Sequence, residues 1–210
     1  MIERALPTWD ALEGTFACRV ILDDSGDSEY RAWVSGQYPQ WEVVPTGPTR
    51  MGYAPAMTKM REVGLESGAD YIFHLEDDFM LNAPLDLDDI AGLLDARPYL
   101  AQVALRRQAW FANEVEHGGI IEALEVQGQR FHEMTDGRRY WTEHRAVWTA
   151  NPNLFRRDIA ERPYPLVNFS EAAFMRELRA DPQMRCAFWG KRSDPLHVEH
   201  IGAYRNGVDY

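Results

Sequence analysis

Residues 70–81 constrain the fold more than any other part of the chain. They read Asp-Tyr-Ile-Phe-His-Leu-Glu-Asp-Asp-Phe-Met-Leu, so an apolar run ends in three adjacent acids, Glu76, Asp77 and Asp78. A short apolar run with β-branched and aromatic side chains predicts a buried strand. The acids then lie at its carboxyl end, where open α/β sheets bind their ligands.

The acidic triplet itself predicts a cation. Three like charges side by side repel one another, so a packed fold retains them when a positive charge lies nearby. Carboxylate oxygens suit Mg²⁺ or Mn²⁺, and these ions usually also hold substrate phosphates. The alternative is a solvated acidic turn that follows a strand.

Composition restricts the classes of protein that remain. The 210 residues are 45% hydrophobic and 26% charged, which predicts one globular domain over 1–210. No apolar run approaches the ~20 residues that span a bilayer, and no signal peptide is visible. Two single cysteines, Cys18 and Cys186, favour a cytoplasmic location. A net charge of −11 argues against nonspecific binding to nucleic acid or anionic membranes.

The first third of the chain alternates between helical and strand patterns. Helices are predicted at 2–13, 30–36 and 54–65, with Gly64 and Gly68 at the end of the last one, and strands at 16–22, 41–44 and 71–75. Such alternation predicts a mostly parallel central sheet flanked by helices. Two of these strands end in Asp pairs, Asp23-Asp24 and Asp77-Asp78, which a parallel sheet would bring to one edge.

The rest of the chain is less regular. A helix is predicted from Asp86, with structural acids in its first turn, and another at 171–179, with Ser170 as its N-cap. Strands are predicted at 100–105, 146–150 and 184–189. Residues 106–145 give no clear pattern, and their aromatic side chains suit either a binding cleft or the core.

Five segments, in this order, resemble the GT-A-type glycosyltransferases of the family 2 group. They are 20–26, which end a strand in Asp23-Asp24; 50–52, Arg-Met-Gly; 68–78, with the acidic triplet; 168–171, Asn-Phe-Ser-Glu; and His200-Ile201-Gly202 followed by Arg205. The resemblance spans about residues 2–205. It implies a nucleotide-sugar-binding half at 1–105 and an acceptor and catalytic half at 106–210.

The resemblance also implies a role for each site residue. Asp78 would bind the divalent metal, Mn²⁺ or Mg²⁺, together with His200, for which His197 is the rival. Glu76 and Asp77 would lie near the sugar and ribose of a nucleotide-sugar donor. Further donor contacts would come from Asp23, Asp24 and Arg50. Glu171 would be the general base of an inverting transfer to a hydroxyl acceptor, which the sequence leaves unspecified.

The sequence departs from the family pattern at two places. The family opens with a strand and a base-contacting loop, whereas this sequence starts within the pattern of the following helix, so the usual first strand is absent from it. The catalytic segment usually reads Glu-Asp, but Ala172 follows Glu171.

Each assignment also has a structural alternative. Asp23 and Asp24 could stabilise a turn, Arg50 could form a surface ion pair, Glu171 could favour a helix N-terminus and His200 could be structural.

Two other functions remain open at this stage. A nucleotidyltransferase also uses clustered acids and a metal, but it would need a Gly-rich basic phosphate loop after the first strand, and none is visible. A sugar- or nucleotide-binding module without turnover is the second alternative. An assay for sugar transfer distinguishes such a binding module from an enzyme.

Overall fold

The computed structural model describes residues 1–202; Arg205, part of the resemblance, lies outside this range. The helices are α1 (Ile2–Ala5), α2 (Ser28–Gln37), α3 (Tyr53–Glu66), α4 (Leu87–Ala96), α5 (Ala112–His117), α6 (Ile120–Val126), α7 (Arg157–Ala160) and α8 (Ser170–Leu178), with a 3-10 helix at Leu6–Ala11. The strands are β1 (Leu12–Glu13), β2 (Val20–Asp23), β3 (Glu42–Pro45), β4 (Tyr71–His74), β5 (Phe79–Leu81), β6 (Leu85–Asp86), β7 (Leu100–Ala104), β8 (Phe131–Thr135), β9 (Tyr140–His144), β10 (Asn153–Arg156), β11 (Arg185–Trp189) and β12 (Val198–His200).

The protein is a mixed α/β fold around a six-stranded sheet of order β4-β10-β7-β11-β9-β8. Strands β7 and β11 are parallel, whereas β10 is antiparallel to both of its neighbours and β9 is antiparallel to β11 and β8. The prediction of a mostly parallel sheet is therefore not confirmed. Strands β8 and β9 lie in residues 106–145, where the sequence gives no clear pattern, and β10 begins at Asn153, beyond the strand predicted at 146–150. The carboxyl ends of β4, β7 and β11 nevertheless lie at one edge.

Strands β2 and β3 form a separate parallel pair, and the short strands pair as β1 with β6 and β5 with β12. The predicted helix–strand alternation of the first third is thus confirmed, but its first two strands do not join the large sheet. Both strands of the separate pair are apolar, and most of their residues are only half-buried. They still pack on the main core through Ile21 and Val43.

The main hydrophobic core draws on distant parts of the chain. Leu6 and Trp9 of the 3-10 helix are buried with the α4 face that includes Leu93. Trp141 of β9 and Val198 of β12 belong to the same cluster. A second cluster packs α3 and α8 on the other side of β4 and β7. Within residues 1–202, no helix combines the length and the apolar character needed to span a membrane.

The predicted strand at 146–150 is wrong. The backbone of this segment bonds to side chains: Gln102 donates to the Thr149 carbonyl at 2.6 Å and accepts from the Thr149 N–H at 3.2 Å. Asn153 donates to the carbonyls of Thr149 and Asn151. With these groups bound to side chains, the segment forms a loop and pairing begins at Asn153.

The predicted N-cap of α8 is also wrong. Phe169 holds that position in a left-handed conformation (φ 55°), and Ser170 is the first helical residue. The Ser170 hydroxyl instead donates to the Tyr164 hydroxyl at 3.2 Å. By contrast, Asp86 caps α4 by accepting from Asp89 N–H, so the structural reading of the acids at the start of α4 is confirmed.

Gly64 lies inside α3 and does not mark its end. A glycine stands there because the helix packs closely against Ile72 of β4. A Cβ at this position would come within 2.3 Å of Ile72 Cδ1. We expect Gly64→Ala to lower the free energy of unfolding by about 1–3 kcal/mol, since overpacking outweighs the gain in helix propensity. Gly36→Ala in α2 is the matched control, because nothing lies within 4 Å of its Cβ position. It should raise the free energy of unfolding by roughly 0.5–1 kcal/mol.

Urea unfolding of both variants measures the two changes. If Gly64→Ala and Gly36→Ala change the free energy of unfolding equally, the close packing at Gly64 is not the cause.

Candidate active site

The acidic triplet forms the turn between β4 and β5 at the carboxyl edge of the sheet. Glu76 and Asp78 are half-buried, whereas Asp77 is exposed. The Glu76 carbonyl accepts from the Phe79 N–H at 3.2 Å, and the Asp78 carbonyl accepts from the Ile201 N–H at 2.7 Å. The turn is therefore fixed from both sides.

Asp78 and His200 contact each other directly. The Asp78 Oδ2 to His200 Nε2 distance is 3.1 Å, although 122 positions separate the two residues. Strand β12 pairs antiparallel with β5 so that His200 lies opposite Phe79. The second carboxylate oxygen of Asp78 and the His200 Nδ1 are buried and have no hydrogen-bond partner within residues 1–202.

Both the backbone and the ring of His200 are held by neighbouring residues. Gln108 donates to its carbonyl at 2.7 Å and accepts from its N–H at 3.0 Å, while the Trp110 ring meets the imidazole edge-on at 3.9 Å between centroids. Gly202 leaves no space for a side chain, because a Cβ there would lie 2.5 Å from Asp78 Oδ2. Sequence reasoning missed Gln108 and Trp110, which lie in the unreadable segment.

His197 does not share this site. Its ring lies against Gly190, where a Cβ would come within 2.9 Å of the imidazole, and burial and then the charge of Arg106 lower its pKa. Of the two candidate histidines, His200 is therefore the one that the fold places beside Asp78.

Glu171 and Glu76 lie close enough for their charges to interact. Burial, and then the charges of Asp78, Glu171 and Asp77, raise the pKa of Glu76 well above its ordinary value. Burial also raises the pKa of Glu171. The first turn of α8 thus brings Glu171 close to the acidic triplet.

Neutral groups surround Glu171. Its carboxylate accepts a short hydrogen bond from the Ala150 N–H, and this bond and the Tyr53 hydroxyl both lower its pKa against the effect of burial. On the other side, His74 hydrogen-bonds to the Ala150 backbone, and burial lowers the pKa of this histidine to about 4, so it is neutral.

A buried ion pair supports the loop after β7. Arg107 and Glu114, each with 5% of its side chain exposed, lie 2.7 Å apart. Glu114 also accepts from the Trp110 N–H at 2.8 Å, and Arg107 donates to Asn151 Oδ1 at 3.1 Å. The charge of Arg107 contributes to lowering the pKa of Glu171. The ion pair therefore ties the Trp110 loop to the loop that contacts the catalytic candidate.

The donor-side candidates at the end of β2 have different environments. Asp24 uses both carboxylate oxygens to hold the following loop, accepting from Met51 N–H at 2.8 Å and Gly52 N–H at 2.9 Å. Arg50 is 72% exposed and 4.0 Å from Asp24. These contacts favour the structural alternative for Asp24 and for Arg50.

Asp23 accepts fewer hydrogen bonds than Asp24, but its side chain is less exposed, at 4% against 23%. It is buried, with Oδ1 accepting from Ser25 N–H at 2.9 Å and Oδ2 3.5 Å from Arg31. Asp23 and Asp77 both act on Tyr30: after burial, their charges raise its pKa. The ends of β2 and β4 therefore face a common region. Tyr30 stacks on Trp33 there, with both rings 37% exposed, a pair that the sequence reading missed.

The donor set fits a metal only if other molecules complete its coordination. Within residues 1–202, no group of three or more His, Cys, Asp or Glu side chains is arranged to hold an ion. Asp78 and His200 would supply two ligands, and the second Asp78 oxygen is buried and has no hydrogen-bond partner within residues 1–202. Mg²⁺ and Mn²⁺ commonly take one or two carboxylates plus substrate phosphates. A mixed carboxylate and imidazole pair suits Mn²⁺.

Comparison with known proteins does not assign the chain to a family: no family model matches it, and no curated protein matches it. The site is therefore interpreted from its own geometry.

Proposed function

We propose that the protein is a metal-dependent glycosyltransferase that moves a sugar from a nucleotide-diphosphate donor to a hydroxyl acceptor with inversion. One observation carries the proposal: the 3.1 Å contact between Asp78 and His200 beyond the carboxyl end of β4, with Glu76 and Glu171 close enough for their charges to interact. The resemblance to GT-A enzymes predicts the same residues in these positions.

Asp78 and His200 would hold the divalent cation, preferably Mn²⁺. When bound, such an ion supplies Lewis-acid stabilisation of the negative charge on the departing diphosphate. The protein contributes rigidity, because the carbonyl of Asp78 and the backbone of His200 are fixed by Ile201 N–H and by Gln108. Preorganised ligands need little rearrangement when the cation and its phosphates bind.

Glu171 is the proposed general base that takes the acceptor proton. Burial raises its pKa toward the range in which a carboxylate accepts a proton effectively, while the Ala150 N–H and the Tyr53 hydroxyl keep it oriented. Glu76 and Asp77 would accept hydrogen bonds from donor hydroxyl groups, and Asp23 would contact the nucleotide. The two free cysteines support a reducing cytoplasm as the location.

Donor binding is the most direct test. With Mn²⁺ present, one of a set of UDP-, GDP-, dTDP- and CMP-linked sugars should raise the melting temperature by roughly 5–10 °C at a concentration of about 100 times Kd. EDTA should remove this increase. The unliganded protein with Mn²⁺ alone is the baseline. Equal melting temperatures with every donor, with and without metal, would refute the proposal.

Tyr53→Phe tests the assignment of the base through its pH dependence. The Tyr53 hydroxyl lowers the pKa of Glu171 by favouring its ionised form, so its removal should raise that pKa. Activity depends on ionised Glu171 and falls as pH drops through this pKa. The acidic limb of the kcat profile should therefore move to higher pH in Tyr53→Phe. Tyr38→Phe is the matched control. An unshifted limb would contradict the role of Tyr53.

A further inference from the structure

A basic cavity lies at the edge of the sheet opposite the acidic site. It has a volume of about 320 Å³ and is lined by Gly128, Gln129, Arg130, His132, His144, Arg145 and Arg185. His144 ends β9 and pairs with Cys186 at the start of β11, whereas Glu76 follows the carboxyl end of β4. Because β4 and β11 point the same way, the two sites lie at opposite sheet edges.

The lining carries one sign of charge in a protein that is otherwise strongly acidic. Three arginines contribute to it, and within residues 1–202 no Asp or Glu does, although the chain has a net charge of −11. Clefts lined by one sign of charge concentrate ions of the opposite sign. An excess of arginine favours a phosphate or carboxylate, because the guanidinium group binds either through two parallel hydrogen bonds.

Arg145 gives the cavity a fixed cation. Its guanidinium donates to the carbonyls of Arg179 at 2.8 Å and Asp181 at 2.9 Å, just beyond the end of α8. Arg179 returns the contact by donating to the Arg145 carbonyl at 2.7 Å. Arg145 Nε is buried and has no hydrogen-bond partner in the part of the chain that the structure describes. The charge is thus held in place by neutral carbonyls, which do not cancel it.

The other two arginines keep their charge available. Arg130 is exposed and has no ion-pair partner among the described residues. Arg185 is 40% exposed and lies 3.6 Å from Glu143. The Tyr99 hydroxyl and the Trp141 indole donate to the other carboxylate oxygen of Glu143, at 2.8 and 2.9 Å. Glu143 therefore offsets part of the Arg185 charge, and the exposed part of the Arg185 side chain remains accessible to a ligand.

His144 forms a neutral wall of the cavity. It is 3% exposed, its ring stacks on Phe188, and burial followed by the charge of Arg179 lowers its pKa to about 3. The charge of the cavity near neutral pH therefore comes from the arginines.

We propose that this cavity binds the phosphate group of a small phosphorylated ligand, at a site separate from Asp78 and His200. The volume is at the lower end of the range for small-molecule sites, so it accommodates a phosphate with a small organic group attached. A free phosphoester and a phosphorylated lipid headgroup share this chemistry. The proposal does not depend on the glycosyltransferase assignment.

Calorimetry with inorganic phosphate and with glycerol 3-phosphate tests the site. The titrations use the Asp78→Asn protein in EDTA and low salt. Under these conditions no phosphate can bind through a metal at Asp78 and His200. We expect saturable binding that weakens at least tenfold in Arg130→Gln/Arg185→Gln. The double variant Arg4→Gln/Arg176→Gln removes the same charge from exposed positions elsewhere and should bind as tightly as its parent.

The proposal is wrong if neither phosphate probe binds saturably and the protein does not bind phosphatidic acid vesicles. It is also wrong if the two double variants weaken phosphate binding equally. Sedimentation with vesicles that contain phosphatidic acid distinguishes the source of the phosphate. Cosedimentation that is lost in Arg130→Gln/Arg185→Gln identifies a headgroup ligand. Binding of the free phosphates without cosedimentation identifies a soluble one. Thermal unfolding checks that the variants are folded. The melting temperatures of both double variants should lie within a few degrees of that of the Asp78→Asn parent.

Discussion

Asp78→Asn should reduce sugar transfer about a thousandfold or more. The substitution keeps the shape of the side chain and one carbonyl oxygen but removes the charge that binds the cation. A metal that stabilises the departing diphosphate contributes several kcal/mol, and about 4 kcal/mol corresponds to a thousandfold in rate. Steady-state transfer at saturating Mn²⁺ measures the loss, and calorimetric titration with Mn²⁺ plus a nucleoside diphosphate measures the binding defect.

Glu66→Gln is the matched control, because it removes one exposed carboxylate at the end of α3. It should leave transfer and metal binding unchanged. Full activity of Asp78→Asn, or activity of the unmodified protein that is indifferent to EDTA, would show that the cation is not held at the Asp78–His200 pair.

Glu171→Gln should separate binding from turnover. Gln keeps a side-chain oxygen that can accept from the Ala150 N–H but cannot take a proton from the acceptor. General base catalysis typically contributes 10²–10⁴-fold, so kcat should fall by roughly that factor. The donor Kd, measured by calorimetry with Mn²⁺, should change less than about threefold, because donor and base would lie on opposite sides of the reacting carbon.

Glu177→Gln, on the same helix but exposed, controls for the loss of a negative charge on α8. Its kcat should match the unmodified protein. If Glu171→Gln retains transfer, the base is another group. If it loses donor affinity instead, Glu171 belongs to the donor site, and the proposed geometry of the reaction is wrong.

Much of the first half of the fold follows from sequence patterns. Period-3.6 and strand patterns located α2, α3, β3 and β4, and the acid-rich start of α4 identified its N-terminus. These elements are regular and have local signals. Residues 106–145 are different, because α5 and α6 are too short for periodicity to identify. The hairpin of β8 and β9 does carry one signal, the turn-favouring dipeptide Asp136-Gly137 directly after β8.

The sequence indicates the candidate residues of the site but not the groups that support them. Asp78, His200 and Glu171 carry chemical signals, and the structure places Asp78 beside His200 and Glu171 within the electrostatic influence of Glu76. Gln108, Tyr53 and the Ala150 N–H act through long-range contacts, and polar or backbone groups of this kind have no distinctive spacing. The mixed sheet was missed for a related reason: strand direction depends on which segments pair, and β10 inserts between β4 and β7 without a local signal.

The wide separation of Asp78 and His200 along the chain affects how the protein acquires its site. Their contact spans 122 positions, and pairings at such distances form late because the intervening loop must close first. During synthesis the chain emerges from its N-terminus, so the acidic turn is made long before its histidine exists. In a nascent chain, Asp78 therefore lacks its imidazole partner until residue 200 has been made.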